Sequence, residues 1–266
     1  MPESEPQKAA PEADLELIAD VAREAGAIAL KYFRRDPEVW WKGGVSPVSE
    51  ADYAVDRFLR KELLAARPDY GWLSEETALE DQELARERVF VVDPIDGTRA
   101  FIAGRPIWCV SIGVVHRGES IVGVLECPEL SETYHALRGG GAFRNGERLA
   151  VKPEGDAFVV AGPKAMVSEL PADILQKTRA YGYVPSLAYR IAMVASGALD
   201  ATFVKPNAHD WDLAAADVIL REAGGVIRDA SGNTPSYAGP DPKKGALAAG
   251  SGSLLQAMTE TLSIGE

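Results

Sequence analysis

The sequence predicts a mixed α/β protein of two lobes, and three features of its apolar patterning carry that expectation. Two helix-period segments come first, a run of closely spaced strand-like segments follows between residues 108 and 146, and from Phe158 onward strands and helices alternate. The pattern changes near residue 150. That places one lobe at residues 14–150 and a second at 151–266, with residues 1–13, rich in Pro, Glu and Ala, as a disordered N-terminal extension.

Leu17, Ile18, Val21, Ala25, Ile28, Ala29 and Tyr32 recur at helical spacing over residues 14–33, with Asp14 as a cap. A second helix is expected over residues 49–66, after the loop Lys42-Gly43-Gly44-Val45-Ser46-Pro47, burying Val55, Phe58, Leu59 and Leu63. Trp72 and Leu73 read as a short strand that ends in Ser74-Glu75-Glu76, and an acidic exposed segment leads to a buried strand at residues 89–92. Strands then follow at residues 108–115, 120–126 and 133–136, with a hairpin at Asn145-Gly146, a dipeptide suited to a type I′ turn. In the second half the expected order is a strand at 158–161, a helix at 187–196 stopped by Gly197, and a strand at 201–204. A helix at 211–223 stopped by Gly224-Gly225, strands near 226 and at 246–249, and a last helix complete it.

Composition is that of an ordinary globular chain, 46% hydrophobic and 26% charged over 266 residues. The net charge of -12, from 28 basic against 40 acidic residues, argues against nucleic acid or an anionic membrane as partner. Cys109 and Cys127 form no Cys-x-x-Cys or Cys/His cluster, so two buried thiols are expected rather than a disulfide or zinc site. The longest apolar stretch, residues 107–115, is far short of the roughly 20 residues of a membrane span, and no signal peptide is evident, so a cytoplasmic location is expected.

The run Val91-Val92-Asp93-Pro94-Ile95-Asp96-Gly97-Thr98 carries the most chemical information. Pro94 and Gly97 punctuate it as a turn, which places Asp93 and Asp96 at the C-terminal mouth of a strand, where carboxylates can share hard cations with phosphate oxygens. Asp-Pro and Asp-Gly are also ordinary turn formers. A second signature, His209-Asp210-Trp211-Asp212-Leu213-Ala214-Ala215, opens the helix that ends in Glu222-Ala223-Gly224-Gly225, with Asp212 in its first turn.

Taken together, Asp93-Pro94-Ile95-Asp96-Gly97-Thr98-x-x-Phe101 and Trp211-Asp212-x-Ala-Ala resemble the inositol monophosphatase superfamily, magnesium-dependent and lithium-sensitive phosphomonoesterases. The resemblance spans almost the whole chain and implies a layered αβαβα sandwich, a homodimer and a cleft holding two or three Mg2+. Glu75, Asp93 and the carbonyl of Ile95 are then ligands of one ion, and Asp93, Asp96 and Asp212 ligands of the second. Glu76 matches a second acidic residue common in the family, Thr98 with Asp52 positions the attacking water, and backbone N–H groups of Gly97 and Thr98 meet the phosphate. Two ions roughly 3.5–4 Å apart can bridge the ester, activate water and stabilise the leaving oxygen. No serine or cysteine nucleophile elbow competes with that route.

The implied substrate is a small phosphorylated alcohol of the inositol phosphate kind. Lys205, however, falls where inositol phosphatases place a glutamate for ring hydroxyls, and a cation cannot accept those hydrogen bonds. Arg99 after Thr98, and the segment from Lys42 to Asp52, are closer to the 3′(2′),5′-bisphosphate nucleotidases, in which Lys42, Arg99 and Lys205 would together hold a second phosphate. A non-enzymatic reading also follows from the resemblance, since one bacterial member partners transcription antitermination. The three histidines, His116, His135 and His209, have no motif support as acids.

Overall fold

The computed structural model of the chain describes residues 10–44, 46–77 and 81–264. Residues 1–9 of the expected extension lie outside these, while Pro11, Glu12 and Ala13 already belong to helix α1 (Pro11–Leu30), with Pro at the position where its missing N–H costs nothing. Asp14 is not the cap. It lies fully buried inside α1, accepting hydrogen bonds from Arg67 Nε at 2.9 Å, Arg88 Nη1 at 2.8 Å and the Tyr70 hydroxyl at 2.8 Å.

Strands β1 (Val39–Lys42) and β2 (Ser46–Ser49) pair as an antiparallel hairpin that runs directly into α2 (Glu50–Ala66). Next come β3 (Gly71–Ser74), the one-turn α3 (Asp81–Leu84), β4 (Arg88–Asp96), the five-residue α4 (Thr98–Ile102), β5 (Cys109–His116) and β6 (Glu119–Cys127). β7 (Glu132–Leu137), β8 (Gly141–Arg144) and β9 (Glu147–Arg148) finish a seven-stranded sheet in the order β3-β4-β5-β6-β7-β8-β9, parallel between β3 and β4 and antiparallel elsewhere. Asn145 (φ 50) and Gly146 (φ 84) turn β8 into β9, as the dipeptide predicts.

The second half holds β10 (Phe158–Ala161), α5 (Lys164–Ser168), α6 (Ala172–Leu175), β11 (Thr178–Ala180), α7 (Leu187–Ala195) and β12 (Ala201–Val204). It continues with β13 (Ala208–His209), α8 (Asp210–Glu222), β14 (Val226–Asp229), β15 (Lys243–Lys244), β16 (Leu247–Gly250) and α9 (Gly252–Ile264). Five of these strands form a second sheet in the order β11-β10-β12-β16-β14. The elements α5, α6 and β11 have too few apolar positions to show a period in the sequence.

Three apolar clusters define the layers. Ile18, Ala25, Leu59 and Leu63 of α1 and α2 pack on one face of the large sheet through Val92, Val110 and Val122. Ile191 and Val194 of α7 and Leu213, Val218 and Ile219 of α8 fill the space between the two sheets, and Leu254, Leu255 and Met258 of α9 cover the far face of the small sheet. The result is the αβαβα sandwich. The central helix α8 lies unusually close to the large sheet, because Gly113 and Gly123 are cross-strand partners beneath its Ala214-Ala215-Ala216 segment. A Cβ on Gly123 would stand 2.5 Å from the Ala215 carbonyl oxygen. That close approach brings the first turn of α8 to the mouth of β4.

Candidate active site

Strand β4 does not end at Val92. It continues through Asp93 to Asp96 against β5, with Asp93 opposite Ser111 and Asp96 opposite Cys109, so three steps on β4 match two on β5. The expected turn is a β-bulge. In a regular strand residues three apart face opposite sides, and the extra residue lets Asp93 and Asp96 turn toward the same cleft. Pro94 is tolerated there because a bulge does not need its N–H. Gly97 follows with φ 98, and an added Cβ would meet the Ile107 carbonyl oxygen at 3.1 Å, so glycine alone fits the step into α4.

Two capping boxes bring the other acidic groups to this mouth. Asp52, at the third position of α2, accepts from the Ser49 N–H at 2.8 Å and the Ser49 hydroxyl at 2.6 Å. Asp212, at the third position of α8, accepts from the His209 N–H at 2.7 Å. The His209 ring stacks on Trp211, 4.5 Å between centroids. Ligand oxygens of Asp93, Asp96 and Asp212 come within 4.8 Å of one another. Glu75, at the end of β3, shares with them a cavity of about 470 Å³ that Gly97, Thr98 and Arg99 also line.

The electrostatics of this cluster are those of a cation site. Burial pushes Asp93 well above the usual carboxylate range, and the charges of Glu75, Asp96 and Asp212 push it further. Asp212 is raised likewise, by burial and then by Asp96. Asp96 is pushed up to about 6 by burial, against the hydrogen bonds that it accepts. Carboxylates this close favour proton sharing or a bound cation. Among the described residues the donor set is all oxygen, with no thiolate or imidazole in the cluster, and so fits a hard divalent ion of the magnesium type. The ring of His209 has its pKa lowered by burial and is neutral near pH 7.

Asp96 also accepts hydrogen bonds that the sequence did not announce. Ser186 Oγ at 2.6 Å, Leu187 N at 3.2 Å and Ala188 N at 2.6 Å bind its two oxygens, so it seats at the N-terminus of α7 and joins the acidic mouth to the second half of the chain. Ser186 caps α7 by accepting from the Tyr189 N–H at 3.1 Å. Thr98 Oγ1 lies 3.1 Å from Asp52 Oδ1 and 3.0 Å from the Ile95 carbonyl oxygen. Lys42 stands on the other flank, 3.0 Å from Glu75 and 2.8 Å from Glu76. Although burial pulls its pKa down, the two glutamates hold it above its ordinary value, and burial raises Glu76 to about 7. Of the three cations expected to share a phosphate, Arg99 and Lys205 line the cavity, Arg99 lying over the Trp41 ring.

A sequence profile described as "Inositol monophosphatase family" matches residues 11–264, nearly the full described length. The chain belongs to the inositol monophosphatase family. It is accordingly a phosphatase, a phosphoric monoester hydrolase. An inositol monophosphatase of Dictyostelium discoideum is 32% identical over 232 residues, 82% of this chain and 85% of the relative. A histidinol-phosphatase of Chlorobaculum parvum is 35% identical over 231 residues, 82% and 86%. Among solved structures, extragenic suppressor protein suhB from Bartonella henselae superposes with a TM-score of 0.82 at 27% identity, covering 96% of this chain and 100% of that one.

Within this inositol monophosphatase family member the wall facing the carboxylates comes from the second half: Tyr183, Leu187, Arg190, Val204, Lys205 and Asn207. Arg190 has no counterpart in the sequence expectations. It sits in an apolar helical run, and nothing local distinguishes it from a surface arginine. Among the described residues, no helix is long and apolar enough to cross a membrane.

Proposed function

We propose that the chain hydrolyses the phosphate ester of a small alcohol of the inositol phosphate kind, using two or three Mg2+ held by Glu75, Asp93, Asp96, Asp212 and the carbonyl of Ile95. The observation that carries this reading is the convergence of Asp93, Asp96 and Asp212 within 4.8 Å at the mouth of one cavity. Bound Mg2+ would supply positive charge to the phosphoryl oxygens and lower the pKa of water. The chain's own groups supply the rest. Thr98, hydrogen-bonded to Asp52, directs that water by donating its hydroxyl proton to the carboxylate and presenting a lone pair. Asp52, pushed up to about 6 by burial, is ionised at neutral pH yet close enough to hold a proton transiently. Gly97 and Thr98, at the start of α4, meet the phosphate, and the second half of the chain reads the alcohol.

The same reading takes the protein as a cytoplasmic, lithium-sensitive homodimer. The bisphosphate nucleotidase alternative is not favoured, because the relatives described above are named as an inositol monophosphatase and a histidinol-phosphatase. The test is phosphate release from a panel at fixed Mg2+, with EDTA and lithium controls: inositol 1-phosphate, histidinol phosphate and adenosine 3′,5′-bisphosphate. Release that EDTA abolishes supports the reading. No release from any member contradicts it.

A further inference from the structure

The face of α2 that carries Asp52 carries a second buried carboxylate one turn later. Asp56 is 6% exposed and stands four residues on from Asp52, the spacing that puts two side chains on one side of a helix. It does not belong to the clustered carboxylates of the acidic mouth, and it does not line the cavity. Its two oxygens reach the two ends of one short segment. Ser74 Oγ donates to Oδ1 at 2.5 Å and Thr77 Oγ1 donates to Oδ2 at 2.9 Å, 18 and 21 residues away in the chain. Between those hydroxyls lie Glu75 and Glu76.

A carboxylate offers only acceptors, so both hydroxyl protons are directed at Asp56 and the hydroxyl oxygens are left to accept. Each does. Ser74 Oγ takes the N–H of Glu76 at 3.3 Å, and Thr77 Oγ1 takes the indole N–H of Trp72, a residue 2% exposed, at 3.4 Å. Strand β3 ends at Ser74, and beyond it one bond, from the Glu75 N–H to the Val92 carbonyl oxygen at 3.2 Å, continues the pairing with β4. The segment that brings Glu75 to the cleft therefore leaves the sheet and is tied at both ends to α2. Lys42 meets the same two glutamates from the β1–β2 hairpin, but its side chain is 33% exposed, and ion pairs open to water hold geometry weakly. The Ser74–Asp56 bond is buried.

Resting on the reading of Glu75 as a metal ligand, we propose that Asp56 is a positioning residue that presets Glu75 for the ion by clamping Ser74 and Thr77 on either side of it. One face of α2 then serves both halves of the site, Asp52 bonding Thr98 and Asp56 fixing the segment of Glu75. A segment ordered only when the ion arrives loses affinity to the entropy of ordering, and a segment tied beforehand does not. Asp56 touches neither ion nor ester. It acts on Mg2+ affinity and takes no part in breaking the bond.

The experiment titrates wild type, Asp56→Ala, Ser74→Ala, the double variant and Glu75→Gln with Mg2+ by calorimetry, and follows amide hydrogen exchange at residues 75–77 in EDTA. Asp56→Ala should bind Mg2+ about tenfold or more weakly, within the range for a group behind a metal ligand. Its amides at 75–77 should exchange faster than those of wild type with no metal present, and phosphate release should recover as Mg2+ is raised. Ser74→Ala should reproduce part of the loss and add little to Asp56→Ala, because the two act through one bond. Thr77→Ser, which keeps the hydroxyl, should keep wild-type affinity. Unchanged Mg2+ binding by Glu75→Gln would overturn Glu75 as a ligand and the preset with it. Weakened binding by Glu75→Gln, beside wild-type affinity and exchange in Asp56→Ala and Ser74→Ala, would overturn the positioning role alone and leave the metal site standing. Should Asp56→Ala not fold, Ser74→Ala decides: wild-type affinity in that variant overturns the proposal.

Discussion

Thr98 Oγ1 lies 3.1 Å from Asp52 Oδ1 although 46 residues separate them in the chain. The contact joins two helix starts, α2 through the third residue of its capping box and α4 through its first residue after Gly97. Thr98→Val keeps the shape and removes the hydroxyl. The expected outcome is a fall in kcat of about 10²–10⁴-fold, the usual range for a proton-transfer partner. Mg2+ binding by calorimetry should persist, because no carboxylate is touched. An unaltered kcat would remove Thr98 from the proposed water-positioning pair.

The raised carboxylates make stability depend on pH and on metal together. Asp96 and the buried Asp217 are both pushed up to about 6, in each case chiefly by burial, against roughly 4 for an unfolded aspartate. A group whose folded pKa is raised stabilises the fold fully below its unfolded pKa and loses that contribution as pH rises through the folded value. In EDTA the melting temperature should therefore decline between about pH 4 and pH 7 on account of these groups. Adding Mg2+ should raise it, more at pH 8 than at pH 5, because the ion binds the ionised site and competes with protons. Scanning fluorimetry over that pH range checks both signs, and a Mg2+ shift that is largest at low pH would contradict the site.

Gly123 tests the packing that carries Asp212 to the site. With a Cβ 2.5 Å from the Ala215 carbonyl oxygen and 2.7 Å from Val218, Gly123→Ala must push α8 off the sheet. A loss of about 1–3 kcal/mol in denaturant unfolding is expected, the range for overpacking. Weaker Mg2+ binding should accompany it. A Gly123→Ala protein as stable as wild type would show that α8 has slack at this crossing.

The parts of this protein that the sequence discloses are those whose meaning is local. Asp93, Asp96 and Thr98 sit within six residues of one another, and Asp212 opens a helix with its own start signal, so residue type and position suffice. The five-layer fold follows from the resemblance that these motifs carry. Asp14 misleads for the opposite reason: near a helix start it reads as a cap, while its partners Arg67, Tyr70 and Arg88 lie 53, 56 and 74 residues away. The bulge at Pro94 reads as a turn because only the pairing with β5 reveals the extra residue. Arg190 is silent in sequence, since it joins the cavity wall only once the second half of the chain has folded against the acidic mouth.

The most direct test of the central claim, that these carboxylates are the metal site of a phosphomonoesterase, is phosphate release by wild type and Asp93→Asn side by side in Mg2+. Asp93 is buried and has the neighbouring charges of Glu75, Asp96 and Asp212 upon it, so it is the ligand that the proposed site could least spare. The account predicts that Asp93→Asn loses about 10²-fold or more of the activity, more than a supporting residue behind a ligand would cost, while its circular dichroism and melting curve remain those of a folded protein. Wild-type turnover by a folded Asp93→Asn protein would contradict it.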